Sequence, residues 1–290
     1  MTDKTAISVS IAAQLTAVLT ACFGTAAVLF ATVPWAQMWC IAAALFFAAK
    51  TAVLRHAKSR RRIPANASPY AFALLWPGMN WAQWTSAAVG GTATRGTLLD
   101  GGLNVGFGLV LMFGMARLIP QPLAATWVAM IGLIFTFHCG AFTLLAAVWQ
   151  ALGRGVRPIM HCPIAAASIT EFWGKRWNLA FRDLAHTTIF MPAARRLGAG
   201  GATWVVFIVS GIAHDLVISV AAHGGYGWPT VYFIVQGVGH AIEQRCQITS
   251  ALVWRLRAWV FVALPLPLLF HAPFVLRVMR PFFINLHALA

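Results

Sequence analysis

Long apolar runs separated by short basic clusters constrain this chain more than any other feature. Runs of about twenty residues occupy 11–33, 35–54, 101–119, 123–145, 202–222, 226–244 and 258–276. A helix of that length spans the hydrocarbon core of a bilayer, and only helices or closed barrels can cross it with every backbone group paired. Charged residues make up 9% of the sequence, against about 25% in a soluble domain. The expected fold is therefore all-α, a polytopic transmembrane helical bundle with about seven spans. The 290 residues leave room for one membrane-embedded domain. The first run is too long for the apolar region of a signal peptide and lacks a cleavage site, so a mature N-terminal span is expected.

The net charge of +15 comes from clustered cations: five Lys/Arg in 55–62, seven in 154–196 and three in 245–257. Clusters that flank apolar spans follow the positive-inside pattern. They place the N-terminus and the basic loops in the cytoplasm, in a bacterial inner membrane, and argue for lipid headgroups or a phosphorylated substrate and against nucleic acid. Two cations depart from the pattern: Arg277 and Arg280 would end the last span on the outer side. Pro265, Pro267 and Pro273 suggest that this span is broken or re-entrant. The stretch from Ser68 to Ser86, with Tyr70, Trp76, Trp81 and Trp84 around Pro77-Gly78, reads as interfacial or half-inserted. The five cysteines show no metal-ligand spacing and read as small buried hydrophobes, and no metal site is expected.

Between Arg196 and Glu243 the only charged residue is Asp215, in Ser210-Gly211-Ile212-Ala213-His214-Asp215. A carboxylate at membrane depth costs about 2.5–3.5 kcal/mol on insertion scales and marks a candidate site. The adjoining His214 can take and return a proton near neutral pH. On a helix, neighbours i and i+1 point about 100° apart. The two side chains are therefore expected to serve separate roles, one in a cavity and one on a neighbouring helix, with Ser210 one turn before His214 and Ser219 one turn after Asp215. Gly211 allows a close helix approach.

A second candidate region opens with Ser168-Ile169-Thr170-Glu171, a capping-box pattern that starts a helix. Along one amphipathic helix from Ser168 to Leu197, Glu171, Lys175, Asn178 and Arg182 would share a face. Such a basic, Trp-bearing helix would lie on the membrane surface or roof a site. Asn178 could stabilise a developing oxyanion or simply cap a helix. Lys175, Arg176 and Arg182 could hold phosphates or headgroups. His138, in an uncharged run, and the row Gln236, His240 and Glu243 could line a polar cavity or bond structurally.

Glu171-Phe172-Trp173-Gly174-Lys175-Arg176-Trp177-Asn178, followed by Ser210-Gly211-Ile212-Ala213-His214-Asp215, resembles the wax synthase branch of the membrane-bound O-acyltransferases. Trp76-Pro77-Gly78-Met79-Asn80 and Phe137-His138-Cys139-Gly140 are similar to further segments of that branch, so the likeness runs from about residue 70 to about residue 245. The branch more often carries Glu after the histidine and Asp in the Trp-Pro-Gly-Met segment. The resemblance implies transfer of a fatty acyl group from acyl-CoA, a co-substrate and not a bound cofactor, to a hydroxyl acceptor, foremost a long-chain alcohol. It implies His214 as general base and Asn178 as the partner that positions the thioester. Trp173, Lys175, Arg176, Trp177 and Arg182 would contact acyl-CoA, with Ser210, Asp215 and His138 in support. The rivals are another acceptor (sterol, polyketide, glycan or protein) and a proton-coupled lipid transporter. A transporter relay would call for further intramembrane carboxylates and gives the Lys175–Asn178 segment no role.

Overall fold

The computed structural model describes residues 3–59, 68–87, 95–245 and 250–289. Part of the first basic cluster, Arg60–Arg62, and Cys246 lie outside them. The described residues are mainly helical, joined by turns and irregular segments such as 155–162, with one isolated antiparallel bridge between Ala87 and Arg154.

Two long helices, α1 (Asp3–Leu29) and α2 (Pro34–Ser59), form an antiparallel pair. Two short ones follow, α3 (Pro69–Leu75) and α4 (Trp81–Thr85), each started by a side-chain cap. Ser68 accepts the Ala71 N–H and Asn80 accepts the Gln83 N–H, which satisfies backbone donors that a helix start leaves open. Next comes α5 (Arg95–Leu109), continued by π and 3₁₀ turns to Leu118. Beyond Pro120, α6 (Pro122–Leu133), a π-helical stretch (Ile134–Ala141) and α7 (Phe142–Ala151) run as one rod. Gly108 of α5 meets Gly132 of α6 so closely that a Cβ on Gly132 would lie 2.6 Å from the Gly108 carbonyl oxygen. Small residues give backbones this approach where no hydrophobic force drives helices together in lipid.

The second half begins with α8 (Ile169–Glu171), a π turn (Phe172–Arg176) and α9 (Leu179–Ala185). A further π turn (His186–Phe190) leads into α10 (Met191–Ala222), which bends at Gly198 (φ 69°). α11 (Trp228–Arg245) packs antiparallel to α10. α12 (Ala251–Ala263) ends at Pro265 and is followed by α13 (Leu266–Leu269), α14 (Ala272–Phe274), a π turn (Val275–Met279) and α15 (Arg280–Asn285).

Six helical stretches among the described residues are long and apolar enough to cross a membrane: Ala6–Leu29, Pro34–Ala57, Gly96–Leu118, Pro122–Ala151, Leu179–Ala222 and Leu252–Leu269. The chain is an integral, polytopic helical bundle. α11, expected as a span over 226–244, falls short of that apolarity because it carries Gln236, His240, Glu243 and Gln244. The last expected span, 258–276, is divided at the prolines. It starts earlier, and residues beyond 271 form short helices of their own. That division removes the difficulty of Arg277 and Arg280, which belong to this terminal segment and not to the end of a span. The segment closes one end of the bundle: Arg117 donates to the carbonyls of His287 and Ala288, and His271 packs on the Gly225 turn.

The Ser68–Ser86 stretch differs from the expectation. Phe72, Trp76 and Trp84 are buried in a core cluster with α1, α2 and α7 rather than turned to an interface. Lys50, inside α2 and fully buried, explains how the stretch is held. Its Nζ donates to the carbonyls of Phe72 at 2.8 Å and Gly78 at 2.7 Å and lies 3.7 Å from the Phe72 ring centroid. A buried amine is tolerable only with such hydrogen-bond partners.

Candidate active site

Ser168 caps α8 as its spacing predicts, accepting the Glu171 N–H at 2.9 Å. Glu171 reaches back one residue further than a capping box requires and accepts the Ala167 N–H at 2.8 Å. That bond holds the Glu171 carboxyl below the usual carboxylate range. Desolvation opposes the shift, and Arg176 and Lys175 reinforce it. The link is therefore in place at neutral pH and is lost as pH falls through the carboxyl's own titration.

The single helix expected from Ser168 to Leu197 does not form. The Trp177 N–H closes a π turn on the Phe172 carbonyl, Trp177 is extended, and Asn178 adopts a left-handed conformation (φ 41°). Asn tolerates that region better than other non-glycine residues. The expected shared face of Glu171, Lys175, Asn178 and Arg182 is lost at this break. Arg176 turns back to pair with Glu171 at 2.6 Å and donates to the carbonyls of His161 and Cys162.

One face of α11 holds this segment in place. Glu243 accepts the N–H groups of Ile169 (2.8 Å) and Thr170 (3.3 Å), His240 Nδ1 bonds the Thr170 hydroxyl (3.0 Å), and Gln236 accepts the Trp173 indole N–H (3.2 Å). These positions follow the helical period, which is why their polar row was visible in the sequence while their partners were not.

His214 and Asp215 part company as helical geometry requires. The Gly211 backbone lies against Thr230 of α11, where an added Cβ would come within 2.6 Å of the Thr230 Cα. Asp215 faces the same helix and closes its N-terminus. Its carboxylate accepts the N–H groups of Gly227 (2.8 Å) and Thr230 (3.1 Å), the Ser219 hydroxyl (2.8 Å) and the Thr230 hydroxyl. The chain extends to His271, whose Nδ1 accepts the Phe274 N–H, so that its Nε2 donates to Ser219. Asp215→Asn should lower the thermal unfolding midpoint in detergent, since a buried donor left unpaired costs about 1–3 kcal/mol. Because Asp215 touches no cavity wall, the activity per folded molecule should stay near wild type. An unchanged midpoint would contradict this structural role.

His214 faces the other way. Its Nδ1 lies 2.7 Å from the Ser210 carbonyl oxygen, which can only accept, so Nδ1 carries the proton. In the neutral ring Nε2 then holds the lone pair, and it has no partner among the described residues. The ring rests on Phe233 with centroids 4.6 Å apart. It lines a cavity of about 240 Å³ together with Asn178. Asn178 accepts the Phe181 N–H through Oδ1 at 3.2 Å. That cap engages Oδ1 and leaves Nδ2, on this cavity-lining residue, a donor without a partner among the described residues. The remaining walls are chiefly apolar and aromatic, with Trp173, Trp177, Phe207 and Phe233 prominent.

Of the residues singled out in the sequence, Trp173, Trp177, Asn178, Arg182, Ser210 and His214 meet at this cavity, and His240 joins them. Lys175 and Arg176 do not line it, and Asp215 stands behind it. His138 lies in the π-helical stretch of the α6–α7 rod, its ring against Phe142 at 5.5 Å and its buried Nδ1 unpartnered among the described residues. A smaller notch of about 70 Å³ on the far side of α9 is bordered by Arg157, Asn80 and Asp183, and Arg182 borders both spaces. Among the described residues no group of three His, Cys, Asp or Glu side chains is placed to hold a metal ion.

Residues 156–236 match the profile of the Membrane bound O-acyl transferase family. The chain is 32% identical over 122 residues to a long-chain-alcohol O-fatty-acyltransferase of Simmondsia chinensis, an alignment covering 38% of this chain and 35% of that protein. It is 28% identical over 166 residues to the probable long-chain-alcohol O-fatty-acyltransferase 9 of Arabidopsis thaliana (53% and 48% covered). It is 26% identical over 145 residues to acyl-CoA–sterol O-acyltransferase 1 of the same plant (47% and 42% covered). The chain thus spans about a third to a half of the length of these relatives. The segment that builds the cavity, from the loop before Ser168 to the middle of α11, is thus the part of the chain that is similar to the membrane-bound O-acyltransferases.

Proposed function

We propose that the chain transfers a fatty acyl group from acyl-CoA to the hydroxyl of a long-chain alcohol, forming a wax ester. The observation that carries this reading is the pairing of a lone-pair nitrogen, His214 Nε2, with a free amide donor, Asn178 Nδ2, in the wall of one apolar cavity. His214 takes the proton of the acceptor hydroxyl as its oxygen attacks the thioester carbonyl. Asn178 donates to the oxyanion that develops there. The C–S bond breaks as the C–O bond is completed, and the proton on His214 passes to the departing CoA thiolate. No covalent enzyme intermediate is needed. The apolar walls suit the alkyl chains, whose burial contributes about 0.8 kcal/mol per methylene. By the positive-inside pattern, the end of the bundle bearing the basic segments faces the cytoplasm of a bacterial inner membrane, where acyl-CoA is available.

Arg182 is the cation we assign to the phosphates of coenzyme A, because it borders the cavity and its side chain, paired with Asp183 at 2.9 Å, is still half exposed. Arg182→Gln should raise the KM for acyl-CoA several-fold more than the KM for the alcohol. Arg176→Gln should instead lower thermal stability with little change in either KM, since its partners are Glu171 and two carbonyls. Equal effects of the two variants on the acyl-CoA KM would contradict the division.

The acceptor is tested by supplying purified protein with radiolabelled palmitoyl-CoA and a panel of long-chain alcohols and sterols. Ester formed with the alcohols supports the reading. Preference for sterols would favour the activity named for the sterol-acylating relative, and no ester with any acceptor would overturn the reading.

A further inference from the structure

Gln236 is fully buried in the middle of α11, and both ends of its amide are engaged. Oε1 accepts the Trp173 indole N–H at 3.2 Å, and Nε2 donates to the Phe261 carbonyl at 2.6 Å. That carbonyl is one that α12 cannot satisfy itself: its helical partner would be the N–H of residue 265, which is proline. One turn earlier on α11, the Tyr232 hydroxyl donates to the Val262 carbonyl at 3.1 Å. The proline break of the last span is thus docked on α11 by two side chains, and one of them, Gln236, also bonds a residue of the cavity wall. Trp173 forms part of the cavity wall and packs against Phe233 at 5.5 Å between centroids, while Phe233 in turn supports the His214 ring at 4.6 Å.

We propose that Gln236 is a positioning residue that fixes Trp173 as a rigid wall of the cavity and so sets which acyl-chain lengths fit, with the carbonyl freed by Pro265 as its second anchor. The inference rests on the acyl-transfer reading. Neither partner alone would hold the amide. An indole N–H by itself leaves the Gln236 amide free to rotate, and the carbonyl at the proline break supplies a fixed point on another helix. Trp173 is therefore held against a span far along the sequence by a group that never touches substrate.

The test compares kcat/KM for a series of saturated acyl-CoAs with one fixed alcohol, using purified full-length protein. Gln236→Met keeps the length of the side chain and removes both hydrogen bonds. Its relative preference among chain lengths should move about three- to tenfold, the range that one net hydrogen bond allows. Trp173→Phe should move the preference in the same direction, and the double variant no further. Gln236→Glu, a neutral acid when buried, still accepts from the indole through one oxygen and donates to the Phe261 carbonyl through the other, and should keep the wild-type profile. Tyr232→Phe, which loosens the proline break without touching Trp173, should lower stability and leave the profile unchanged. A uniform fall across chain lengths in Gln236→Met, or shifts that add in the double variant, would overturn the proposal and leave Gln236 as a helix tie. Should Gln236→Met not fold, an altered profile in Gln236→Glu would overturn it equally. A wild-type protein that makes no ester at all would instead sink the acyl-transfer reading on which it rests.

Discussion

Replacing His214 with alanine is expected to reduce ester formation by about 10²–10⁴-fold, the contribution of a positioned general base. An alcohol hydroxyl is a poor nucleophile until its proton is removed in the transition state. In the cavity wall, Nε2 of His214 is a proton acceptor whose availability is fixed by another atom. Because Nδ1 must donate to the Ser210 carbonyl, the ring has only one tautomer in its neutral form. The expected cost in stability is small, since the ring gives up one bond to a carbonyl within its own helix and a contact with the Phe233 ring. Initial rates with labelled acyl-CoA, set beside the thermal midpoint, separate the two effects. A large fall in rate at an unchanged midpoint is the expected pair of readings.

Asn178→Asp should cost about 10²–10³ in turnover, the loss seen when one oxyanion donor is removed, and little in stability. The choice of aspartate follows from the geometry. Asn178 does three things at once: it adopts φ 41°, caps α9 through Oδ1, and lines the cavity with an amide whose Nδ2 has no partner among the described residues. Alanine would lose the cap, worth about 1 kcal/mol, and would be strained in the left-handed region by about 1–2 kcal/mol. A fall in rate would then be ambiguous. Aspartate keeps the cap and tolerates the backbone, and a negative charge at a helix start is favourable. It replaces only the donor by an acceptor. A rate within about threefold of wild type would remove Asn178 from the chemistry and leave it as a cap.

The sequence made the helical architecture legible because apolar length and proline position act locally. Pro120, the prolines near 265 and the cap at Ser168 all mark real boundaries. Periodicity also separated His214 from Asp215 and placed Gln236, His240 and Glu243 on one face. The break at Trp177-Asn178 was not legible, because nothing in the residue types of that stretch forbids a continuing helix. It forms because the Arg176 side chain is drawn to Glu171 and the backbone N–H of Asn178 meets the Met160 sulfur at 3.1 Å. Lys50 was passed over for the same kind of reason: its partners lie 22 and 28 residues away and are backbone carbonyls. The meeting of Asn178 and His214 at one cavity likewise joins residues whose spacing carries no local signal, and the family resemblance alone singled out Asn178 as the partner of His214.

The central claim, that His214 and Asn178 act on one acyl transfer in one cavity, is tested most directly by single-turnover ester formation. Protein in excess over radiolabelled palmitoyl-CoA, mixed with a long-chain alcohol in detergent, isolates the chemical step from binding and release. The wild-type chain is expected to form ester. His214→Ala and Asn178→Asp should each form it at least about 10²-fold more slowly, and the double variant should be slowed by less than the product of the two, as for groups that act as a unit. Ester formation by His214→Ala at the wild-type rate would contradict the claim.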